Sequence, residues 1–174
     1  QYLTQKLLDC TKLKNGAKVL LHKVSKPELY GVAKVNKRNK INKISEKPKK
    51  YISDLAITGL YFFDNSVVKF AKELKPSKRG ELEIVDLINK YKQRNKLSAD
   101  LIGRGGAWLD TGSIEDFYKT SAFVSAIENR QGFKIACLEE IALNNKWINK
   151  KDLANAIKFY GKCEYSNYLK KISL

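Results

Sequence analysis

The 174-residue chain has few of the side chains that build metal and disulfide sites, with three cysteines and one histidine. Cys10, Cys137 and Cys163 are odd in number, far apart and without a CxxC spacing. They indicate neither a disulfide framework nor a zinc site, so a reducing cytoplasm is the expected compartment. His22 lies in an apolar run without a ligand-spaced partner, which is typical of a strand histidine.

Long apolar runs, repeats and low-complexity tracts are also absent from the sequence. Without a signal peptide or a run of about 18 apolar residues, we expect neither export nor membrane spanning. No Walker pattern or GxGxxG motif is present, so the commonest sequence signals for a phosphate-binding loop are lacking. Hydrophobic residues at 43% and charged residues at 30% are typical of a globular chain.

Acidic residues are scarce. The sequence has 18 Asp and Glu but 34 Lys and Arg, which gives a formal net charge of +16. Such an excess attracts polyanions such as nucleic acid, anionic membrane or nucleotide phosphates. The basic residues are mostly lysines without an arginine-rich arm, and the densest group, which includes Arg38, lies between Lys34 and Lys50. We interpret most of that group as the solvent face of a hairpin, and expect no nucleic-acid or membrane partner.

Apolar spacing predicts strands that alternate with helices, which favours an α/β fold with a helical C-terminal segment. The predicted strands are 17–24, 32–36, 41–46, 55–63, 97–102 and 107–109. The predicted helices are 2–13, one between Asn65 and Pro76, one that begins at Glu81, 113–132, 138–145, 152–160 and 165–171. Three helices have predicted inward faces: Val67, Val68, Ala71 and Leu74 in the second, Ile84, Leu87, Ile88 and Tyr91 in the third, and Ile114, Phe117, Tyr118 and Ala122 in the fourth. We expect the fourth helix to pack across the sheet.

Residues 103–112 read Gly-Arg-Gly-Gly-Ala-Trp-Leu-Asp-Thr-Gly, so that the predicted short strand ends at Asp110. Ser113 and Asp116 then have the spacing of a capping box that begins a helix. A carboxylate at the carboxyl end of a strand lies where open α/β sheets bind ligands. A solvated aspartate in a turn explains the same residues, and both interpretations stay open.

The sequence of residues 103–112 resembles the signature motif of bacterial glucose-1-phosphate thymidylyltransferases, which are sugar nucleotidyltransferases. Four other segments stand in the family's order and are similar to its motifs: 30–32, 46–48, 58–64 and 76–86. This resemblance implies an incomplete Rossmann-like, mixed nucleotidyltransferase sheet flanked by helices, with a helical C-terminal appendage. Residues 1–132 would be the sugar-phosphate-binding portion and 133–174 the C-terminal segment, in a cytoplasmic homo-oligomer.

The same resemblance implies synthesis of dTDP-glucose from dTTP and glucose 1-phosphate, with Mg²⁺ bound by Asp110. The implied catalytic residues are Asp110, Arg79 and Lys47. The implied substrate contacts are Tyr30, Gly31, Glu46, Lys47, Ile57, Gly59, Tyr61, Arg79 and Trp108. From the residues alone, a solvated Glu46–Lys47 pair, a basic loop residue at Arg79 and a core Trp108 remain open alternatives.

The family's Gly-rich nucleotide loop and its Gly-Asp-Asn metal segment have no counterpart in this sequence. We therefore expect the sugar-phosphate portion without the nucleotide portion, inactive by itself. The alternative is a non-catalytic module that keeps the fold as an anion-binding or subunit-association surface. Residues 137–142 are similar to the family's inhibitory nucleotide region, but Leu138 and Asn144 depart from its Pro and basic residue, which argues against feedback regulation.

Overall fold

The computed structural model describes residues 2–37 and 39–173, so Arg38 of the lysine-rich group lies outside the described residues. The chain divides into two compact units, Gln1–Trp108 and Leu109–Leu174, and each is described by itself. The predicted functional division into 1–132 and 133–174 is a different boundary and stays a prediction. Within the part of the chain that is described, no helix has the length and apolarity to cross a membrane.

The first unit is built on a mixed five-stranded sheet with the order β3-β2-β4-β1-β5. Its strands are β1 (Ala17–Lys23), β2 (Gly31–Val35), β3 (Ile41–Glu46), β4 (Leu55–Phe63) and β5 (Leu97–Leu101). β1 runs parallel to β5, whereas β1–β4, β2–β3 and β2–β4 are antiparallel pairs. The predicted α/β class is confirmed, and so are the strands predicted near 17–24, 55–63 and 97–102.

Among the described residues, the first unit has three α-helices, α1 (Tyr2–Thr11), α2 (Ser66–Lys72) and α3 (Ile84–Gln93), and a short 3₁₀ helix at Pro27–Leu29. Fourteen buried residues from the strands, α2 and α3 form one apolar core. The inward face predicted for α3 is confirmed at Leu87, Ile88 and Tyr91, which are buried, and was wrong at Ile84, which is 38% exposed. Val67 in α2 and Leu74 just after it pack against the core as predicted. In α2, Val68 and Ala71 are exposed, and Phe70 is buried edge-on against Tyr91 with ring centroids 5.0 Å apart.

Asp64, just after β4, links the turn before β1 to α3 through hydrogen bonds. Its carboxylate accepts hydrogen bonds from the Gly16 amide at 2.6 Å and the Tyr91 hydroxyl at 2.9 Å. The Gly16 bond is the main cause that lowers the pKa of Asp64. Gly16 has φ +89°, and a Cβ there would lie 2.5 Å from the Lys96 carbonyl oxygen. Only glycine fits this turn without strain.

The second unit contains four helices: α4 (Ile114–Gln131), α5 (Leu138–Asn144), α6 (Lys150–Tyr160) and α7 (Glu164–Ile172). The predicted start of α4 is confirmed, because the Ser113 hydroxyl accepts the Asp116 amide at 3.0 Å. The helix ends at Gly132, whose left-handed φ of 71° is typical of a C-cap. The small core of this unit consists of Cys137, Leu153, Tyr168 and Leu169.

Two predictions for residues 107–122 were wrong. The described residues 106–113 contain neither strand nor helix, so Asp110 does not end a strand. The glycines at 103, 105 and 106 break the extended run, and the Trp108 indole instead donates to the Thr58 carbonyl at 3.1 Å. The predicted inner face of α4 is exposed at Ile114 (92%), Phe117 (63%), Tyr118 (74%) and Ala122, because the core forms from α5–α7. Packing of α4 across the sheet stays a prediction.

Candidate functional site

A cavity of about 490 Å³ opens in the first unit between the end of β3, the loop before α3 and α3 itself. Its lining includes Glu46 and Lys47 from one predicted motif and Arg79 from another. The charged lining residues are balanced: Lys47, Lys78 and Arg79 are basic, and Glu46, Glu83 and Asp86 are acidic. The structure thus brings three predicted site residues, from segments more than 30 positions apart, around one space.

Gly31 makes room for the Glu46 carboxylate. The two residues are opposite each other in the β2–β3 pairing. A Cβ on Gly31 would lie 2.8 Å from Glu46 Oε2 and 3.4 Å from Val85 Cγ2. A side chain at Gly31 would therefore displace the carboxylate, and close approach explains the glycine. Burial raises the pKa of Tyr61, and the negative charge of Glu46 raises it further, which places this phenol within the electrostatic reach of Glu46.

Lys47 has an unusual backbone conformation at the end of β3. Its φ of 38° is left-handed, which costs a non-glycine residue about 1–2 kcal/mol. The conformation is held by the Lys47 amide, which donates to the Tyr30 carbonyl at 3.0 Å. The side chain is exposed, and among the described residues its ammonium group has no hydrogen bond or ion pair. Strained residues of this kind concentrate at binding sites, so the observation favours a function for Lys47.

The Arg79 guanidinium is held by two carboxylates. Its Nε donates to Glu83 Oε1 at 3.1 Å, and its Nη2 donates to Glu81 Oε2 at 2.9 Å. The charges of Glu83 and then Glu81 raise the pKa of Arg79. Ser77 completes the arrangement, because its hydroxyl donates to Glu83 Oε1 at 2.9 Å. Sequence reasoning missed Glu83, because residues 79–83 precede α3 and the i, i+4 ion-pair signal applies within a helix.

Tyr30 and Trp108 form a separate aromatic contact. Their rings meet edge to face with centroids 5.1 Å apart. The His22 ring lies 6.3 Å from the Trp108 ring, and its Nε2 is 3.2 Å from the Gly106 carbonyl oxygen. Trp108 is half-buried rather than a core residue. This arrangement fixes a partly exposed aromatic surface on the first unit.

The remaining predicted contacts lie on β4 and differ in accessibility. Ile57 is 8% exposed and packs in the core, so only its backbone is available to a ligand. Gly59 is exposed, with φ +79° and open space where a Cβ would stand. Tyr61 is half-buried and stacks on Phe63 with centroids 6.0 Å apart. Among the described residues, the 490 Å³ cavity is lined by neither these β4 residues nor the Tyr30–Trp108 pair.

Asp110 belongs to the second unit, and its carboxylate is exposed. A Cβ on Gly112 would lie 3.0 Å from Asp110 Oδ2, so the glycine leaves room for this oxygen. Within residues 2–37 and 39–173 the carboxylate has no hydrogen bond or ion pair, and no group of three His, Cys, Asp or Glu could hold a metal ion. One unpaired carboxylate suits Mg²⁺, which takes one or two protein carboxylates beside phosphate and water oxygens.

Comparison with known sequences places this chain among nucleotidyl transferases. The profile of the family "Nucleotidyl transferase" matches residues 2–127. The glucose-1-phosphate thymidylyltransferase of Neisseria meningitidis is 44% identical over 172 residues, which is 99% of this chain and 60% of that protein. The enzyme of the same name from Neisseria gonorrhoeae is 46% identical over 97% of this chain and 59% of its own length. The chain thus spans about 60% of the length of these curated relatives.

Solved structures agree with this placement. A Bacillus anthracis protein assigned as a glucose-1-phosphate thymidylyltransferase, in complex with a sucrose, is 43% identical with a TM-score of 0.60. That match covers 68% of this chain and 47% of the other. A UDP-glucose pyrophosphorylase complexed with UDP-glucose matches with a TM-score of 0.57 at 24% identity, over 69% of this chain and 47% of that one. The second likeness concerns the fold alone.

Proposed function

Because this chain belongs to the nucleotidyl transferase family, we propose that it is the sugar-phosphate-binding part of a glucose-1-phosphate thymidylyltransferase. Such an enzyme joins dTTP and glucose 1-phosphate into dTDP-glucose with release of diphosphate. The observation that carries the proposal is the convergence of Glu46, Lys47 and Arg79 on one cavity. Its mixture of cations and carboxylates suits a ligand with a phosphate at one end and hydroxyls at the other.

Each charged residue has a chemical task in this proposal. Lys47 offers a point charge to the phosphate, and the planar fork of Arg79 suits two phosphate oxygens at once. Glu46 accepts hydrogen bonds from sugar hydroxyls, with the space that Gly31 leaves. Tyr30, Trp108, Tyr61, Gly59 and the backbone of Ile57 form further surfaces for the sugar nucleotide.

Enzymes of this family generally use a divalent metal, and we propose Mg²⁺ with Asp110 as one of its ligands. When bound, the ion offsets negative charge on the reacting phosphates. Asp110 contributes a hard oxygen that no other group among the described residues engages. The remaining coordination would come from phosphate and water oxygens.

The assembled enzyme is part of the proposal too. We propose that the enzyme is a homo-oligomer. We also propose the cytoplasm as its compartment, which the three free thiols at Cys10, Cys137 and Cys163 support. We expect the chain by itself to form no measurable dTDP-glucose from dTTP and glucose 1-phosphate, because its sequence holds no Gly-rich triphosphate loop. A coupled assay for diphosphate, on protein of verified mass, checks this expectation.

A hybrid protein tests the function directly. The nucleotide-binding front portion of the Neisseria meningitidis relative is joined ahead of residues 1–174, and dTDP-glucose formation is measured. Asp110→Asn should lower turnover by about 10²–10³-fold at saturating substrates, since it removes the charge that holds a hard cation. The melting temperature should stay within a few degrees. Unchanged turnover across a magnesium titration would make Asp110 a turn residue.

A second candidate function rests on α4. Its exposed Ile114, Phe117 and Tyr118 form an apolar face that a non-catalytic subunit-association module would use. Sedimentation of the wild-type chain and of a Phe117→Glu variant discriminates the two. Concentration-dependent association that Phe117→Glu abolishes, together with no binding of glucose 1-phosphate, favours the module over the enzyme.

A further inference from the structure

The two carboxylates on Arg79 differ in how firmly they are held. The Glu83 side chain is 16% exposed and that of Glu81 is 66% exposed. Glu83 Oε1 also accepts the Ser77 hydroxyl, and the same Ser77 oxygen accepts the Arg79 amide at 3.1 Å. Among the described residues Glu81 contacts only the guanidinium with its side chain. Glu83 is therefore part of a supported network, whereas Glu81 makes a single surface contact.

The contacts also divide the guanidinium by its edges. Glu83 occupies the Nε edge, with Nε at 3.1 Å from Oε1 and Nη2 at 3.3 Å from Oε2. Glu81 takes the remaining donor of Nη2. Within residues 2–37 and 39–173, no acceptor contacts Nη1. Because a guanidinium has five N–H donors in a fixed fork, its Nη1–Nη2 edge could bind a phosphate while Glu83 keeps the Nε edge.

We propose that Glu83 is a positioning residue that aims the Arg79 fork at the cavity, and that Glu81 is an internal competitor that an incoming phosphate displaces. This inference rests on the proposed phosphate-binding function of Arg79. Glu81 and a sugar phosphate require the same Nη2 donor, so both cannot hold it at once. Like-charge repulsion between the carboxylate and the arriving phosphate favours release of the more exposed partner.

The two carboxylates therefore act in opposite directions on phosphate affinity. An exposed ion pair is weak, so the state with Arg79 free of Glu81 is well populated. Removing Glu81's charge should raise the apparent affinity by ~2–6-fold, because the binding-competent fraction rises toward one. Removing Glu83's charge leaves the fork without its anchor and should lower the affinity by about 10-fold.

Isosteric variants of the whole chain test this. Three variants are titrated by calorimetry with glucose 1-phosphate and with inorganic phosphate: Glu81→Gln, Glu83→Gln and the control Glu28→Gln. The Glu28 carboxylate is exposed and makes no hydrogen bond or ion pair among the described residues. We expect tighter binding for Glu81→Gln, weaker binding for Glu83→Gln and no change for Glu28→Gln. Both ligands should show this order, since the contested group is the phosphate. An Arg79→Lys background should remove both differences.

An NMR measurement separates positioning from a general loss of structure. The Arg79 Nε–H resonance of the ligand-free chain should move in Glu83→Gln and stay in place in Glu81→Gln. Ser77→Ala keeps the Glu83 charge and should weaken binding less than Glu83→Gln does. This variant tests the network even when Glu83→Gln folds poorly. If the wild-type chain binds both ligands and Glu81→Gln does not bind them more tightly, the competitor role is wrong and the function stands. If the wild-type chain binds neither ligand, the proposed function fails and this inference with it.

Discussion

Among the described residues, the apolar core of the first unit has fourteen buried residues, whereas that of the second unit has four, and the longest helix of the second unit has no buried side chain. The second unit compensates with hydrogen bonds from tyrosines to carboxylates. Tyr160 and Tyr165 donate to Glu139, and Tyr168 donates to Glu140. Apolar burial therefore holds the first unit together, and a few polar contacts between α5, α6 and α7 support the second.

This difference explains where binding groups can be held in place. Glu46 is the last residue of β3 and Glu83 directly precedes α3, while Lys47 and Arg79 lie in turns next to these elements. The core residues Ile44 and Val85 also line the cavity, which connects it to the well-packed core. Sites built on such elements are more precise than sites on loops. Asp110 instead lies in an irregular segment of the second unit. We therefore propose that Glu46, Lys47 and Arg79 of the first unit set the affinity for a sugar phosphate.

The largest expected effect is a difference in unfolding free energy when the same substitution, isoleucine to alanine, is made in α3 of the first unit and in α4 of the second. Ile88 in α3 is fully buried, and Ile114 in α4 is 92% exposed. Ile88→Ala should cost about 2–5 kcal/mol of unfolding free energy, because it leaves a cavity in the core. Ile114→Ala should change it by less than about 0.5 kcal/mol. Urea unfolding followed by circular dichroism measures both, and equal losses would show that α4 is buried in solution.

A smaller effect is expected from the polar contacts of the second unit. Tyr165→Phe removes the hydroxyl that donates to Glu139 and also contacts Cys137 Sγ at 3.2 Å. Hydrogen bonds to charged groups contribute about 1.5–3 kcal/mol, so the unit should lose stability on that scale. Tyr118→Phe, whose side chain is exposed, serves as the control. Hydrogen exchange of α5–α7 amides reports the change, and equal protection in both variants would contradict it.

The pH dependence of the first unit should give the smallest effect. The pKa of Asp64 is lowered, mainly by the Gly16 amide, so the folded state binds this proton less readily than the unfolded state. The stabilisation is present above the unfolded pKa of about 4 and is lost as pH falls through the folded value. Asp64→Asn should therefore show a weaker loss of stability between pH 5 and pH 2, roughly, than the wild type does. Urea unfolding at each pH gives the unfolding free energy of both proteins. If the two free energies fell in parallel over that range, Asp64 would not contribute to the pH dependence of stability.

Local patterns predicted most of the fold, because apolar periodicity and capping residues act within short segments. The strands β1, β4 and β5 and the N-cap at Ser113 followed directly from the sequence. Which face of α2 points into the core depends instead on which side chain packs against Tyr91. The large ring of Phe70 fills that space. The predicted strand at 107–109 failed because a tertiary hydrogen bond, from Trp108 to Thr58, decides the path of that segment.

The candidate site was predicted in part, and through motifs rather than through physical pattern. The motif resemblance singled out Glu46, Lys47 and Arg79, but spacing alone could not bring them around one cavity. The requirement for glycine at position 31 depends on strand register, since it arises from the opposite residue Glu46. The contribution of Glu83 depends on the side-chain network with Ser77, which no local pattern specifies.

Glucose 1-phosphate binding to the 174-residue chain tests the central claim most directly. Calorimetric titration compares the wild type with Lys47→Ala and with Lys49→Ala, a nearby exposed lysine outside the cavity lining. A charge-assisted contact is worth about 1.5–3 kcal/mol, so Lys47→Ala should weaken binding by about 10–150-fold. Lys49→Ala should leave the affinity within about 2-fold, since this exposed ammonium group lies outside the cavity lining and interacts with the ligand only through solvent. Saturable binding with this difference is the predicted result, and equal affinities for the two variants would contradict a sugar-phosphate site at Lys47.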